Sequence, residues 1–156
     1  MRPHGFTLIE LLVTLAILAV LSTVVVPLAQ VQVQRQKEHA LRAALRDIRA
    51  AIDAHKRAAD EGRVRKDAGA TGYPPSLKVL VDGLEDQRDP QKNRLIFLRR
   101  LPRDPFHPDP GVDAAATWGQ RAYASDADDP REGDDVYDVY SRSQIIGLDG
   151  SPLSRW

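Results

Sequence analysis

A run of uncharged, mostly aliphatic residues near the N-terminus limits what this chain can fold into more than any other feature. Leu11 to Val26 are sixteen consecutive residues without a charge, and from Phe6 to Ala29 the only ionisable side chain is Glu10. At about 1.5 Å of rise per residue, some twenty such residues cross a ~30 Å hydrocarbon core as a helix. Leu, Ile, Val and Ala dominate the run and glycine is absent from it, so it reads as one membrane-spanning helix. A carboxylate at the edge of such a span is costly unless it is paired. From the span alone, Glu10 either has a partner or snorkels to the interface.

A secretory signal accounts for the run poorly. Its apolar core is longer than the usual core of about 7–15 residues, and Pro27-Leu-Ala-Gln30 is a weak imitation of a small-x-small cleavage site. Arg2 lies before the span and Arg35 and Lys37 after it, so charge bias leaves the orientation open. Pro27 removes an amide donor and frees the carbonyl of Thr23, which kinks or loosens a helix. The same proline also suits a membrane exit.

Beyond Pro27 the pattern turns amphipathic. Leu41, Ala44, Leu45, Ile48, Ala51, Ile52 and His55 recur at three- and four-residue spacing, with Arg42, Arg46, Asp47, Arg49, Asp53 and Lys56 between them. The helix is expected to continue to about Ala59 and to end near Glu61-Gly62. Its stripe must be covered by something. His39 and His55 are sixteen residues apart, which is not a metal-ligand spacing, and both read as ordinary helix residues.

Residues 62–72 read as a flexible connection. Tyr73-Pro-Pro-Ser76 opens a short helix from Leu77 to about Leu84. Gln87 to Asn93 is polar and turn-like, and Leu95 to Leu98 is a strand or a buried connection. The X-Pro steps of Leu101-Pro-Arg-Asp-Pro-Phe106 impose extended backbone. Trp118 to Ala124 and Val136 to Tyr140 read as strands, with the acidic loop Ser125–Asp135 joining them as antiparallel neighbours. A third strand is expected near Gln144–Leu148. The expected class is α+β: a long N-terminal membrane-spanning helix whose C-terminal half packs on a small antiparallel sheet.

The 156 residues hold 22 basic and 22 acidic side chains, but the balance hides an asymmetry. Residues 1–66 carry 11 basic and 6 acidic groups, a net +5; residues 67–156 carry 11 and 16, a net −5. An acidic C-terminal half argues against nucleic acid as a partner. Without cysteine there is no disulfide, thiolate metal site or cysteine nucleophile. No phosphate loop, HExxH or nucleophile elbow is present, and the expectation is that the chain is not an enzyme.

A short leader with a basic residue, then Gly5, then Phe6-Thr-Leu-Ile-Glu10 and a long apolar helix, resembles the type IV prepilin family, which includes the pseudopilins of type II secretion. The resemblance implies cleavage between Gly5 and Phe6 by a prepilin peptidase and N-methylation of Phe6. It implies a cytoplasmic leader over residues 1–5, a transmembrane assembly helix over 6–29, its amphipathic continuation over 30–60 and a periplasmic head over 61–156. Glu10 matches the family's acid at the fifth mature position. Cleavage gives Phe6 a positive amine, and the Glu10 of one subunit would pair with the Phe6 amine of its neighbour and set the register. Pro27 matches a proline common in the family, where the helix can unwind in the filament.

Tyr73-Pro-Pro-Ser-Leu77, Leu101-Pro-Arg-Asp-Pro-Phe106, Val136-Tyr-Asp-Val-Tyr-Ser141, Gly147-Leu-Asp-Gly150 and the terminal Trp156 resemble, in that order, segments of the major pseudopilin. The implied protein is a structural pilin-like subunit of the inner membrane. It would polymerise with itself and other pseudopilins into a periplasmic filament on an inner-membrane assembly platform. The same N-terminus also occurs on minor pilins of surface pili that serve adhesion, DNA uptake or motility. No cofactor is expected, with calcium the one candidate. Major pseudopilins carry a longer acidic tail that helps bind calcium, whereas here Asp149 is the last acid in the chain. The run Asp126, Asp128, Asp129, Glu132, Asp134, Asp135 and Asp138 would have to fold beside it to help, and otherwise reads as a solvated acidic loop.

Overall fold

A computed structural model describes residues 5–156. Two compact units emerge, Met1–Gln36 and Lys37–Trp156. The leader residues Met1 to His4 lie outside the described residues.

The first helix, α1, runs unbroken over Leu8–Asp60, 53 residues with Pro27 inside. In the first unit its aliphatic side chains face outward: Leu8, Leu12, Ile17, Leu21 and Leu28 are among those more than half exposed. By length and composition this helix can cross a membrane. Its few hydroxyls are satisfied internally, as an apolar surround requires. Thr14 donates to the Leu11 carbonyl at 2.9 Å, Ser22 to Leu18 at 2.8 Å and Thr23 to Val20 at 2.7 Å.

In the second unit α1 carries the stripe expected of it. Leu41, Ala44, Leu45, Ile48, Ala51, Ile52 and His55 are all buried. The helix ends where the sequence places the stop, by a Schellman motif. Gly62 adopts φ +71°; its N–H reaches the Ala59 carbonyl at 3.0 Å and the Arg63 N–H reaches Ala58 at 2.8 Å. Val64 then packs on Ala58 and Ala59.

The stripe is covered by a second helix and a small sheet. Helix α2, Leu77–Asp82, buries Leu77 and Leu80. Ser76 precedes it but makes no side-chain cap. The expected extension to Leu84 does not occur, because Gly83 turns the chain out at φ +71°, ψ 169°. Strand β1, Leu84–Glu85, then pairs antiparallel with β2, Arg94–Leu95, and the polar tract 87–93 is their connection. Past β2, Phe97 and Leu98 donate to the Leu80 carbonyl at 3.1 and 2.9 Å, tying this small sheet to α2.

The second sheet joins β3, Trp118–Arg121, to β4, Asp138–Ser141, antiparallel, with Trp118 opposite Ser141 and Arg121 opposite Asp138. Both strands are shorter than their sequence patterns. The third strand expected near 144–148 is reduced to one bridge between Ile146 and Pro152, because Gly147 and Gly150 turn the chain back on itself. Trp118, Val136, Val139 and Leu153 close over the α1 stripe. The extended segment 101–106 is anchored by Trp118 Nε1 donating to the Pro102 carbonyl at 2.9 Å and by the buried Asp104, which accepts from Ser141 Oγ at 2.5 Å. The result is the expected α+β, pilin-like arrangement, with two two-stranded sheets in place of one three-stranded sheet.

Two glycines at positive φ separate two costs of substitution. A Cβ at Gly62 would meet nothing within 4 Å, whereas one at Gly83 would lie 2.7 Å from the Leu95 carbonyl oxygen. Gly62→Ala is expected to cost the left-handed penalty of about 1–2 kcal/mol. Gly83→Ala is expected to cost more, because the β1–β2 pairing must move as well. Thermal unfolding followed by circular dichroism checks the order, and an equal or smaller effect at Gly83 contradicts it.

Candidate processing and assembly site

Gly5, Phe6 and Thr7 precede the helix in non-helical backbone, and Phe6 is 85 % exposed. Thr7 is the residue immediately before α1, and Glu10 is the third residue within it. The two side chains cap the helix reciprocally. Glu10 Oε2 accepts from the Thr7 N–H and from Thr7 Oγ1, both at 2.8 Å, while Thr7 Oγ1 accepts from the Glu10 N–H at 3.3 Å. This is a capping box, and it satisfies helix-start donors that would otherwise have no partner. It also sets a carboxylate at the positive end of the helix dipole.

Glu10 thus has a partner within its own chain, which sequence reasoning missed. The signal was present: Thr-x-x-Glu immediately before an apolar run is the capping-box pattern. Gly5, Phe6 and Glu10 fall within six residues at the helix start, while Pro27 lies five turns further along α1, inside continuous helix rather than at its end.

The C-terminal tail forms the other polar constellation. Asp149 Oδ1 accepts from the Ser151 N–H at 2.9 Å and from Ser151 Oγ at 2.7 Å, and its Oδ2 accepts from Arg42 at 2.9 Å. The Ser151 hydroxyl and amide, with Arg42 beside them, hold the Asp149 carboxyl below the usual range. The Arg42 guanidinium lies 4.0 Å from the centre of the Trp156 ring, and Trp156 Nε1 donates to Ser151 Oγ at 2.6 Å. One turn before and two turns after Arg42, Glu38 accepts from the Leu148 N–H at 2.9 Å and Arg49 donates to the Trp156 carbonyl at 2.7 Å. One face of α1 therefore grips the tail from residue 148 to 156.

This donor set does not fit calcium, which takes about six to eight oxygen ligands. Asp149 is occupied by Arg42 and Ser151. Four of the seven acids of the run are occupied elsewhere: Asp129 pairs with Arg131, Glu132 with Arg142, and Asp138 with Arg49 and Arg121. Asp135 accepts from the Tyr123 N–H and from the Thr71 hydroxyl. Among the described residues no three His, Cys, Asp or Glu side chains are grouped to hold a metal ion. Of the two helix histidines, His39 is exposed and His55 is buried.

Comparison with known proteins bears on the N-terminus. Residues 1–26 match the family described as the prokaryotic N-terminal methylation motif. No curated protein and no solved structure matches the chain. The methylation motif, with the long apolar helix and the small antiparallel sheets, supports a type IV pilin-like protein. It implies processing by a prepilin peptidase and assembly with pilin-type subunits.

The tail grip makes a direct prediction. Arg42→Ala removes an exposed ion pair and a guanidinium–indole contact, the latter worth about 0.5–1 kcal/mol. It should lower the unfolding midpoint of the head by a few degrees. Calcium or a chelator should leave the wild-type midpoint in place; a rise with millimolar calcium would show a site that these donors do not provide.

Proposed function

We propose that this chain is a structural pseudopilin subunit. It is held in the inner membrane by residues 6–29, cleaved between Gly5 and Phe6, N-methylated at Phe6, and then polymerised into a periplasmic filament that drives type II protein secretion. It performs no chemistry of its own. Prepilin peptidase acts on it, an inner-membrane platform assembles it, and its partners are further copies of itself and other pseudopilins. The observation that carries this reading is the methylation-motif match over residues 1–26. Three features support a secretion role over a surface pilus. These are the order of pseudopilin-like segments from Tyr73 to Trp156, the net −5 of residues 67–156, and a head without cysteine to staple a long surface loop.

In this reading Glu10 and Pro27 serve assembly. The capping box supports a role for Glu10, since it lets a carboxylate wait at the membrane edge already hydrogen-bonded. In the filament, the Phe6 amine of a neighbour meets the same carboxylate and fixes the axial register.

Mass spectrometry of the mature N-terminus tests the processing step, and methylated Phe6 is the expected species. An intact Met1 in cells with active prepilin peptidase overturns the reading. Glu10→Ala is expected to insert in the membrane normally and to lose filament assembly; filaments at the wild-type level would remove Glu10 from the mechanism. Deleting the gene separates the two roles within the class, because a secretion subunit leaves exported enzymes in the periplasm while a pilus subunit leaves secretion intact.

A further inference from the structure

We propose that His55 is a proton-operated release for the connection between α1 and α2, holding residues 62–73 against α1 when neutral and letting them go when protonated.

His55 is 3 % exposed, at the C-terminal end of the α1 stripe. Its Nδ1 lies 3.1 Å from the Gly72 carbonyl oxygen. A carbonyl only accepts, so Nδ1 carries the proton and donates. Nε2 is then an unprotonated acceptor, and it is buried without a partner among the described residues. The ring also packs against Phe97, centroid to centroid 5.2 Å at a 60° tilt. This geometry suits the neutral ring. Protonation would put an N–H on Nε2 with no acceptor opposite, and a buried unsatisfied charged donor is among the costliest groups a fold can carry.

The surrounding charges do not relieve that cost. On α1, Lys56 is committed to Asp60 at 2.6 Å, and its stem, like that of Lys66, lies against Gly72: both side chains would sit 3.4 Å from a Cβ there. Two ammonium-bearing side chains therefore flank the one hydrogen bond that His55 makes. Asp53, also on α1, is exposed. On the connection itself, Arg65 and Asp67 are exposed, and Tyr73 packs against Tyr123 and Tyr137. Across from it, Arg131 and Glu132 are paired with Asp129 and Arg142, Asp135 is held by Tyr123 and Thr71, and Asp134 is exposed.

The connection has somewhere to move. An open cavity of about 730 Å³ separates residues 64–73 from residues 122–135, with His55 and Ala59 in its wall. Lifting the connection toward it would let water reach Nε2. Burial lowers the affinity of His55 for a proton below the ordinary value of 6.5, partly offset by the Gly72 carbonyl. The open form takes up the proton near 6.5 and the closed form only at lower pH. The closed form is therefore fully favoured above 6.5 and loses ground as pH falls through that value. Each unit of separation between the two midpoints multiplies the opening constant by about ten.

Hydrogen exchange of the full-length protein in detergent micelles, compared at about pH 7.5 and about pH 5 after correction for intrinsic rates, reads this opening. Acidification is expected to raise exchange in peptides covering 62–73 and to leave β3 and β4 unchanged. His55→Asn keeps a donor near the Nδ1 position and cannot titrate, so it should abolish the pH response. An equal response in that variant, or none in the wild type, overturns the proposal. If His55→Asn fails to fold, histidine-selective NMR of the wild type decides. A His55 midpoint below 6.5 that coincides with the exchange transition supports the release, and a midpoint at or above 6.5 overturns it.

Discussion

The burial of one helical stripe holds the head together. Leu41, Leu45, Ile48 and Ile52 lie along α1 at three- and four-residue spacing and are almost fully buried against Leu77, Leu80, Trp118, Val139 and Leu153. Each such side chain contributes roughly 1.5–3 kcal/mol by leaving water, while the exposed ion pairs around them contribute at most about 1 kcal/mol each. No two-stranded sheet in this head would stand alone. Both β1–β2 and β3–β4 exist because α1 gives them an apolar surface to close over, and α2 and the tail fill what the sheets leave open.

The same logic explains which parts of the fold were legible in the sequence. The α1 stripe reads out residue by residue, because helical periodicity is local and 3.6-fold. The helix stop at Glu61-Gly62 is equally local. The strands were legible in position and poorly in extent. The polar-flanked pair Leu84 and Glu85 shows no strand pattern of its own, and becomes a strand only because Gly83 turns the chain against Leu95. The third strand failed for a related reason: Ile145, Ile146 and Leu148 have strand chemistry, but two glycine turns and the grip of Glu38 and Arg42 bend the segment before a ladder can form.

Long-range partners were the least legible part of the site. Arg42 and Asp149 are 107 residues apart, and nothing in local spacing joins them. His55 shows the opposite difficulty. Its place in the stripe was evident, yet its unsatisfied Nε2 depends on what the connection and Phe97 bring to it. A histidine on an apolar face is unremarkable until its second nitrogen is shown to have no partner.

The capping box refines rather than displaces the pairing inferred for Glu10. Both of the hydrogen bonds it accepts from Thr7 fall on Oε2, and Oε1 accepts none among the described residues. An ionised carboxylate has about four lone-pair sites on two oxygens, so a cation arriving at Oε1 need not break the cap. Had Thr7 and an incoming amine competed for one oxygen, assembly would have unwound the first turn of α1, at about 0.5–2 kcal/mol for a lost cap. Divided between two oxygens, the helix start and the proposed intersubunit contact reinforce each other. The cap fixes the carboxylate in place, and a fixed carboxylate loses less entropy when a neighbour's amine binds it.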